Sequence, residues 1–389
     1  MIAVWFKEVM DNFRDRRVIL STLVFGPLFG PVFLVLMIGF AEKQTTERLE
    51  SALELPVVGA EHAPNLIGYL ERQGVIIEPA PEDPEAAIKS EEEEVILRIP
   101  ESFADDWAVG RPAAVEVLAD QSRRYSGTTI SRVRSYLGGY SSTIGQLRLQ
   151  MRGVDPSLTR PINVLTVDLS TPEARGGMVL SFLPYFILIM VFVGSMHMAT
   201  DTTAGERERK SLEPLLINPL PRWQIMAGKL AATTTFGLLT LILGLVAFVI
   251  AMDFLPMDNM NMTLNLDFTV AAWAFLMTAP AALLAAALLT ILASFAKSFR
   301  EAQSYMGLVV LVPMLPSLYI LINPTKAEQW MAWVPLLSQN VLILELVRGE
   351  PINGLWVAIC VGSTLAAGLL LASVAGSLYN RPKLIFTSD

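Results

Sequence analysis

The sequence predicts an α-helical polytopic membrane protein with six transmembrane helices and a large extracytoplasmic α/β domain between the first and second spans. Three observations predict it. Of 389 residues, 53% are hydrophobic and 17% charged, against about 45–50% and about 25% in soluble chains. The apolar residues fall in blocks of about 20, the length that crosses a hydrocarbon core of roughly 30 Å. Lysine and arginine crowd alternate short loops, as the positive-inside rule requires of a multi-pass protein.

The elements follow in chain order. In residues 1–17, Ile2, Trp5, Phe6, Val9, Met10 and Phe13 recur at helical spacing opposite Lys7, Glu8, Asp11, Asn12 and Asp15. That pattern suits an amphipathic helix in the membrane interface, or the first turns of a longer first span. Residues 18–40 form span one. Its apolar run is longer than a signal peptide's, and no A-x-A site follows Phe40, which favours an uncleaved anchor. Five more spans are expected within residues 177–378: Gly177–Thr200, Lys229–Met252, Phe268–Ala296, Tyr305–Ile322 and Gly354–Leu378. The fifth carries Pro313 and Pro316 and should kink or break.

Orientation follows from charge. Lys7, Arg14, Arg16 and Arg17 precede span one; Arg207, Arg209, Lys210, Arg222 and Lys229 lie between spans two and three; Lys297 and Arg300 follow span four; Arg381 and Lys383 follow span six. The opposite short loops hold only Lys326 and Arg348. Both termini, including the tail at 379–389, are expected in the cytoplasm of a bacterial or archaeal cell, with the chain in its cytoplasmic (inner) membrane.

Residues 41–176 then lie outside. Strands are expected at Leu55–Val58, Val75–Glu78, Val95–Ile99, Ala113–Leu118 and Ile162–Asp168, and helices at Ala63–Gln73, Pro84–Ser90, Pro100–Val109 and Gly127–Arg152. Alternation of this kind in about 125 residues predicts an α/β domain with its own core. The acid run Glu91–Glu94 reads as a solvated loop rather than a cation site.

Several function classes are disfavoured. A net charge of −8 offers no basic face for nucleic acid. One cysteine, Cys360, and two distant histidines, His62 and His197, supply neither a disulfide framework nor a His/Cys metal cluster; a metal site stays unassigned. Paired carboxylates or a Ser/His pair for a membrane enzyme do not stand out, and no catalytic residue is assigned. Gly228-Lys229 is not a phosphate-cradling loop, because Trp223 and Leu230 stand where Gly and Ser or Thr are needed. No cofactor is therefore expected in this chain.

The loop between spans two and three, residues 201–228, is the most informative segment. Glu206, Arg207, Glu208, Arg209 and Lys210 lead through Ser211 into the apolar patch Leu212, Leu215 and Leu216, which ends at Pro219 and a basic re-entry at Arg222. Leucines beside charge suit docking into a partner's groove, while the plainer reading is an interfacial helix joining two spans.

This stretch resembles the signature of type-two ABC transporter permeases, which have the type V exporter fold. The matching positions are Glu206 to Arg209, Ser211-Leu212-Glu213, Leu215-Leu216, Pro219, Arg222 and Gly228-Lys229. Lys210 stands where glycine is more usual. The resemblance implies that the loop is a coupling helix seated on a separate ABC ATPase subunit, which would bind ATP and Mg. It covers the whole chain, including an outer re-entrant segment at 329–349, and is greatest to NatB-type sodium-export permeases. A second copy of this chain or a paralogue is expected to complete the pathway, in contact with membrane lipid.

The cargo is less legible. The spans lack Asp, Glu, Lys and Arg at their middles; the central polar groups are hydroxyls, among them Thr233, Thr234, Ser363 and Thr364. These are candidate pathway residues, although hydroxyls more often bond their own helix backbone. Sodium is the cargo the resemblance implies, with lipid, drug or peptide export as the alternative. A reading of another class is a membrane sensor or assembly scaffold with the outer domain as receptor.

Overall fold

The computed structural model describes residues 1–50, 52–120, 126–159, 167, 169–211, 221–255, 263–323 and 327–378. The chain divides into two compact units, Met1–Ala41 with Leu169–Asp389, and Glu42–Asp168.

Helix α1 (Ile2–Arg14) ends at Asp15, whose extended backbone (φ −83°, ψ 107°) breaks the path into the first span. One helical turn, Arg16–Val18, leads into a π-helical stretch, Ile19–Phe25, and then α2 (Gly26–Glu50). Pro27 follows the π segment; its ring has no N–H to give the carbonyl four residues back, and a widened turn absorbs the mismatch. The span itself runs Ile19–Phe40.

The second unit is built on a mixed sheet. Strands β1 (Leu53–Val58), β2 (Val75–Pro79), β3 (Val95–Arg98) and β4 (Glu116–Ala119) stand in the order β2-β1-β3-β4. β1 is parallel to both β2 and β3, and β4 closes one edge antiparallel to β3. Parallel neighbours need crossovers, supplied by α3 (Pro64–Arg72) and α4 (Pro84–Lys89). Asp83 caps α4, accepting from the amides of Glu85 (3.1 Å) and Ala86 (3.0 Å). Next come α5 (Ser102–Val109) and α6 (Ser126–Met151). Leu55, Leu66, Leu70, Leu97 and Val133 form an apolar core, and Trp107 stacks between Phe103 and Tyr140 with Arg148 over its ring at 4.5 Å. Gly59 takes φ +75°, and a Cβ there would overlap the carbonyl oxygen of Ile99, so glycine is required. Four of the five expected strands are present with shifted ends; Ile162–Val167 and Asp168 fall almost wholly outside the described residues.

In the first unit α7 (Pro172–Val179) and a 3-10 turn, Leu180–Phe182, lead into α8 (Leu183–Thr200). Then come α9 (Arg222–Met252), α10 (Phe268–Phe295), α11 (Phe299–Val309), α12 (Met314–Ile322), α13 (Leu337–Val347) and α14 (Gly354–Leu378). Among the described residues, six segments are long and apolar enough to cross a membrane, α11 and α12 together making the fifth. The expected break in span five lies between Val309 and Met314, beside Pro313. Two helices start earlier than expected: α9 at Arg222, behind Pro221, and α11 at Phe299, where Ser298 caps the helix through the amide of Glu301 (3.2 Å).

Small residues let α8 and α9 approach. A Cβ at Gly237 or Gly194 would collide with Ser195 or Thr240, and one at Gly244 with Met190. α13, with 11 residues, spans about 16 Å and is too short to cross a bilayer. Gln339 fixes it: its amide donates to Thr364 Oγ1 (2.7 Å) and the carbonyl of Met277 (3.3 Å), and its oxygen accepts from the amide of Leu336 (2.7 Å). Cys360, the sole cysteine, is fully buried on α14 beside Met277 and Leu342.

Candidate functional site

The charged block lies where α8 changes pitch. After Thr200 the helix widens into a π segment, Asp201–Gly205, and ends in a last turn, Glu206–Glu208. The threonines before it bond backward, Thr202 Oγ1 donating to the carbonyl of Met198 at 2.8 Å. A π bulge shifts the residues after it around the helix axis, and such bulges are frequent at functional sites. Here the next four side chains, Glu206 to Arg209, meet four different partners.

Glu206 turns inward to Lys229, whose side chain is fully buried. The Lys229 ammonium also donates to the carbonyl of Thr202 (2.7 Å) and lies 3.6 Å from the carboxylate of Glu8. Lys7 completes the group, 3.3 Å from Glu8 and 3.9 Å from Glu206. Two cations and two anions thus alternate across α1, α9 and the end of α8. Buried charge is costly unless paired and hydrogen-bonded; Lys229, Glu206 and Glu8 are the buried members, and Lys7, half exposed, also reaches Asp11 at 3.9 Å. Gly228 makes room for it: a Cβ there would sit 2.9 Å from both the carbonyl of Met1 and the Cβ of Val4.

Arg207 spans to α10, donating to the carbonyls of Ser294 and Ala296, both at 2.9 Å. Those carbonyls end a helix and lack intrahelical partners, so a guanidinium satisfies them and complements the helix dipole. The Glu208 carboxylate does the converse at α11, accepting from the amide of Phe299 at 2.7 Å. Arg209 folds back on Asp201 at 2.8 Å. Lys210 follows with φ +56°, the left-handed conformation in which helices often end and which glycine adopts at least cost. That geometry explains why glycine is the more usual residue there. Ser211 closes the turn, its amide (3.0 Å) and hydroxyl (3.2 Å) both donating to the carbonyl of Glu206.

The segment expected as a loop over 201–228 is therefore shorter. Its first eight residues complete α8, and Arg222 onward is helix, with Arg222 half-buried at the first position of α9. Leu212, Glu213, Leu215, Leu216 and Pro219 lie outside the described residues. A crevice of about 470 Å³ opens beside the block, walled by Asp11, Asp15, His197, Arg209 and Phe299.

The hydroxyls expected on a pathway mostly bond their own helices. Thr233 donates to the carbonyl of Lys229 (3.0 Å), Thr234 to that of Leu230 (2.8 Å) and Ser363 to that of Cys360 (3.2 Å), while Thr364 accepts from Gln339. Among the described residues no hydrogen bond links the pair on α9 to the pair on α14.

Sequence reasoning missed Glu8 and Lys229. It placed Glu8 on the solvated face of α1, but the buried stripe of that helix is Val4, Glu8 and Asn12, and Ile2, Phe6 and Met10 are exposed. The inward side of α1 is therefore mixed: Trp5 and Val9 pack against the cluster around Phe236 while Glu8 pairs with Lys229, and Lys7 and Asp11 stay exposed. A lysine opening a span, with one glutamate at the end of the preceding span and another in the N-terminal helix, was the available signal.

Comparison with known proteins bears on the whole chain. Residues 17–375 match the family described as ABC-2 family transporter protein. The ABC transporter permease protein NatB of Bacillus subtilis (strain 168) is 28% identical over 354 residues, covering 89% of each chain. With six segments among the described residues long and apolar enough to cross a membrane, and a family match over nearly its full length, the chain belongs to the ABC-2 transporter family and is a multi-pass permease subunit of an ABC transporter, a kind that implies an ABC ATPase partner.

Proposed function

We propose that this permease exports its cargo in an ATP-driven cycle, with the segment after Ser211 seated on a separate ATPase subunit that carries ATP and Mg. The observation that supports this is the way that segment is rooted. Glu206, Arg207 and Glu208 bind α1 and α9, α10, and α11 in turn. A push on the segment from the ATPase is therefore delivered to several spans at once, as rigid-body alternating access requires. Both termini and this loop face the cytoplasm of the inner membrane, residues 42–168 lie outside as an α/β domain, and α13 with the turn Gln329–Trp333 forms an outer re-entrant hairpin. Two copies, or this chain and a paralogue, face one another.

Sodium is the cargo implied by the resemblance. ATP-dependent uptake of radioactive sodium into inverted vesicles containing the chain and its ATPase, lost with a hydrolysis-dead ATPase, is the expected result; no uptake by a stable, ATP-hydrolysing complex removes sodium. Coupling is tested separately. Glu213→Lys should leave the chain inserted while the ATPase no longer co-purifies, and normal co-purification would remove the segment from the coupling role.

A further inference from the structure

A cavity of about 630 Å³ lies in the first unit between the Leu180–Phe182 turn, α12 and α13. Its size falls in the range of roughly 300–1,000 Å³ typical of sites for drug-sized ligands. One wall is a single stripe at helical spacing along α13 and its C-terminal cap: Asn340, Val341, Leu344, Glu345 and the capping Arg348. Over about 12 Å that stripe changes from neutral to charged. Facing it are Ser317, Ile320 and Leu321 of α12, with Ser317 tied to Asn340 at 2.6 Å. Glu350, just beyond α13, joins Glu345 and Arg348 at the charged end.

Two carboxylates against one guanidinium leave that end net negative. Among the described residues, none of the three makes an ion pair within 4 Å or a side-chain hydrogen bond. A pocket with an apolar body and an under-neutralised anionic mouth complements an amphiphile carrying positive charge.

We propose that this cavity binds a cationic amphiphile, a single-chain or drug-sized amine whose ammonium sits at Glu345 and Glu350 and whose apolar body lies against Ile320, Val341 and Leu344. The amine nitrogen donates charge-assisted hydrogen bonds to the carboxylates, and Arg348 opposes a second cation. The site holds whether or not the transported cargo is sodium.

The test is photolabelling of the full chain in membranes with dodecylamine carrying a diazirine on its terminal carbon. Cross-links should fall on peptides containing Ile320–Leu321 or Val341–Leu344, and excess dodecylamine, but not dodecanol or dodecyl sulfate, should suppress them. Glu345→Gln with Glu350→Gln should lower labelling about ten-fold, the scale of a lost hydrogen bond to a charged group. Arg348→Gln should raise it, a gain that misfolding cannot produce. Equal labelling by a neutral dodecanol probe, or no change in any of these variants, overturns the proposal. Displacement by phosphatidylethanolamine but not by dodecylamine also overturns it, because the cavity would then hold a structural lipid. No ATPase is needed, so failure here leaves the permease reading untouched.

Discussion

Lys229, on α9 of the first unit, is fully buried against Glu206 and Glu8, whereas Arg98, on β3 of the second, reaches Glu116 (3.2 Å) and Glu85 (3.5 Å), both more than half exposed. In each a central cation meets two carboxylates, with Lys7 as a second, half-exposed cation beside the Lys229 set, yet they hold their units together to different degrees. At Arg98 water competes for every charge, and the stability of that unit rests on the apolar side chains beneath the sheet. At Lys229 there is no water to substitute for a missing partner, so the network works by being complete. Burial, and not the number of partners, sets what each cation contributes.

The largest expected effect comes from breaking the buried set. Lys229→Met should destabilise the first unit by about 3–5 kcal/mol, seen as a lower midpoint in heated, detergent-solubilised protein followed by size exclusion. Adding Glu206→Gln and Glu8→Gln should recover part of that loss, because the penalty belongs to the uncompensated carboxylates; no recovery would mean that Lys229 acts by packing. Next is the apolar core of the second unit. Leu97 is fully buried on β3, and Leu97→Ala should cost about 2–5 kcal/mol, measured as faster hydrogen exchange at the amides of β1 and β3. The smallest effect is Arg98→Ala on the same strand, which should change that exchange by less than about 1 kcal/mol. An Arg98 effect as large as that of Lys229 would break the comparison.

The spans were legible because their signal is local: about 20 apolar residues in a row need no knowledge of the rest of the chain. The strands of the second unit were legible for the same reason, as with Val95–Arg98 between an acid run and Pro100. What could not be read were the partners of the charged block. Glu206 meets a lysine 23 residues on, Arg207 a carbonyl 89 residues on and Glu208 an amide 91 residues on. A contiguous run of charge looks like a surface until the fold supplies a helix end for each member. α1 misled in the opposite sense, since Glu8 and Asn12 are buried beside Val4 while Ile2, Phe6 and Met10 are exposed. The starts of α9 and α11 were missed because Arg222 and Arg300 read as loop charge, although helices commonly extend beyond the hydrocarbon layer.

Cys360, hidden on α14, makes the protein chemically quiet toward thiol reagents. An impermeant maleimide added to intact cells should therefore meet a blank background, with no native cysteine to remove. Ser141 and Ser211 are both exposed, so a single cysteine at either becomes the one bright position on the chain. Reaction from outside at position 141 and silence at 211 would turn the map of sides into a direct reading, and the reverse would invert it.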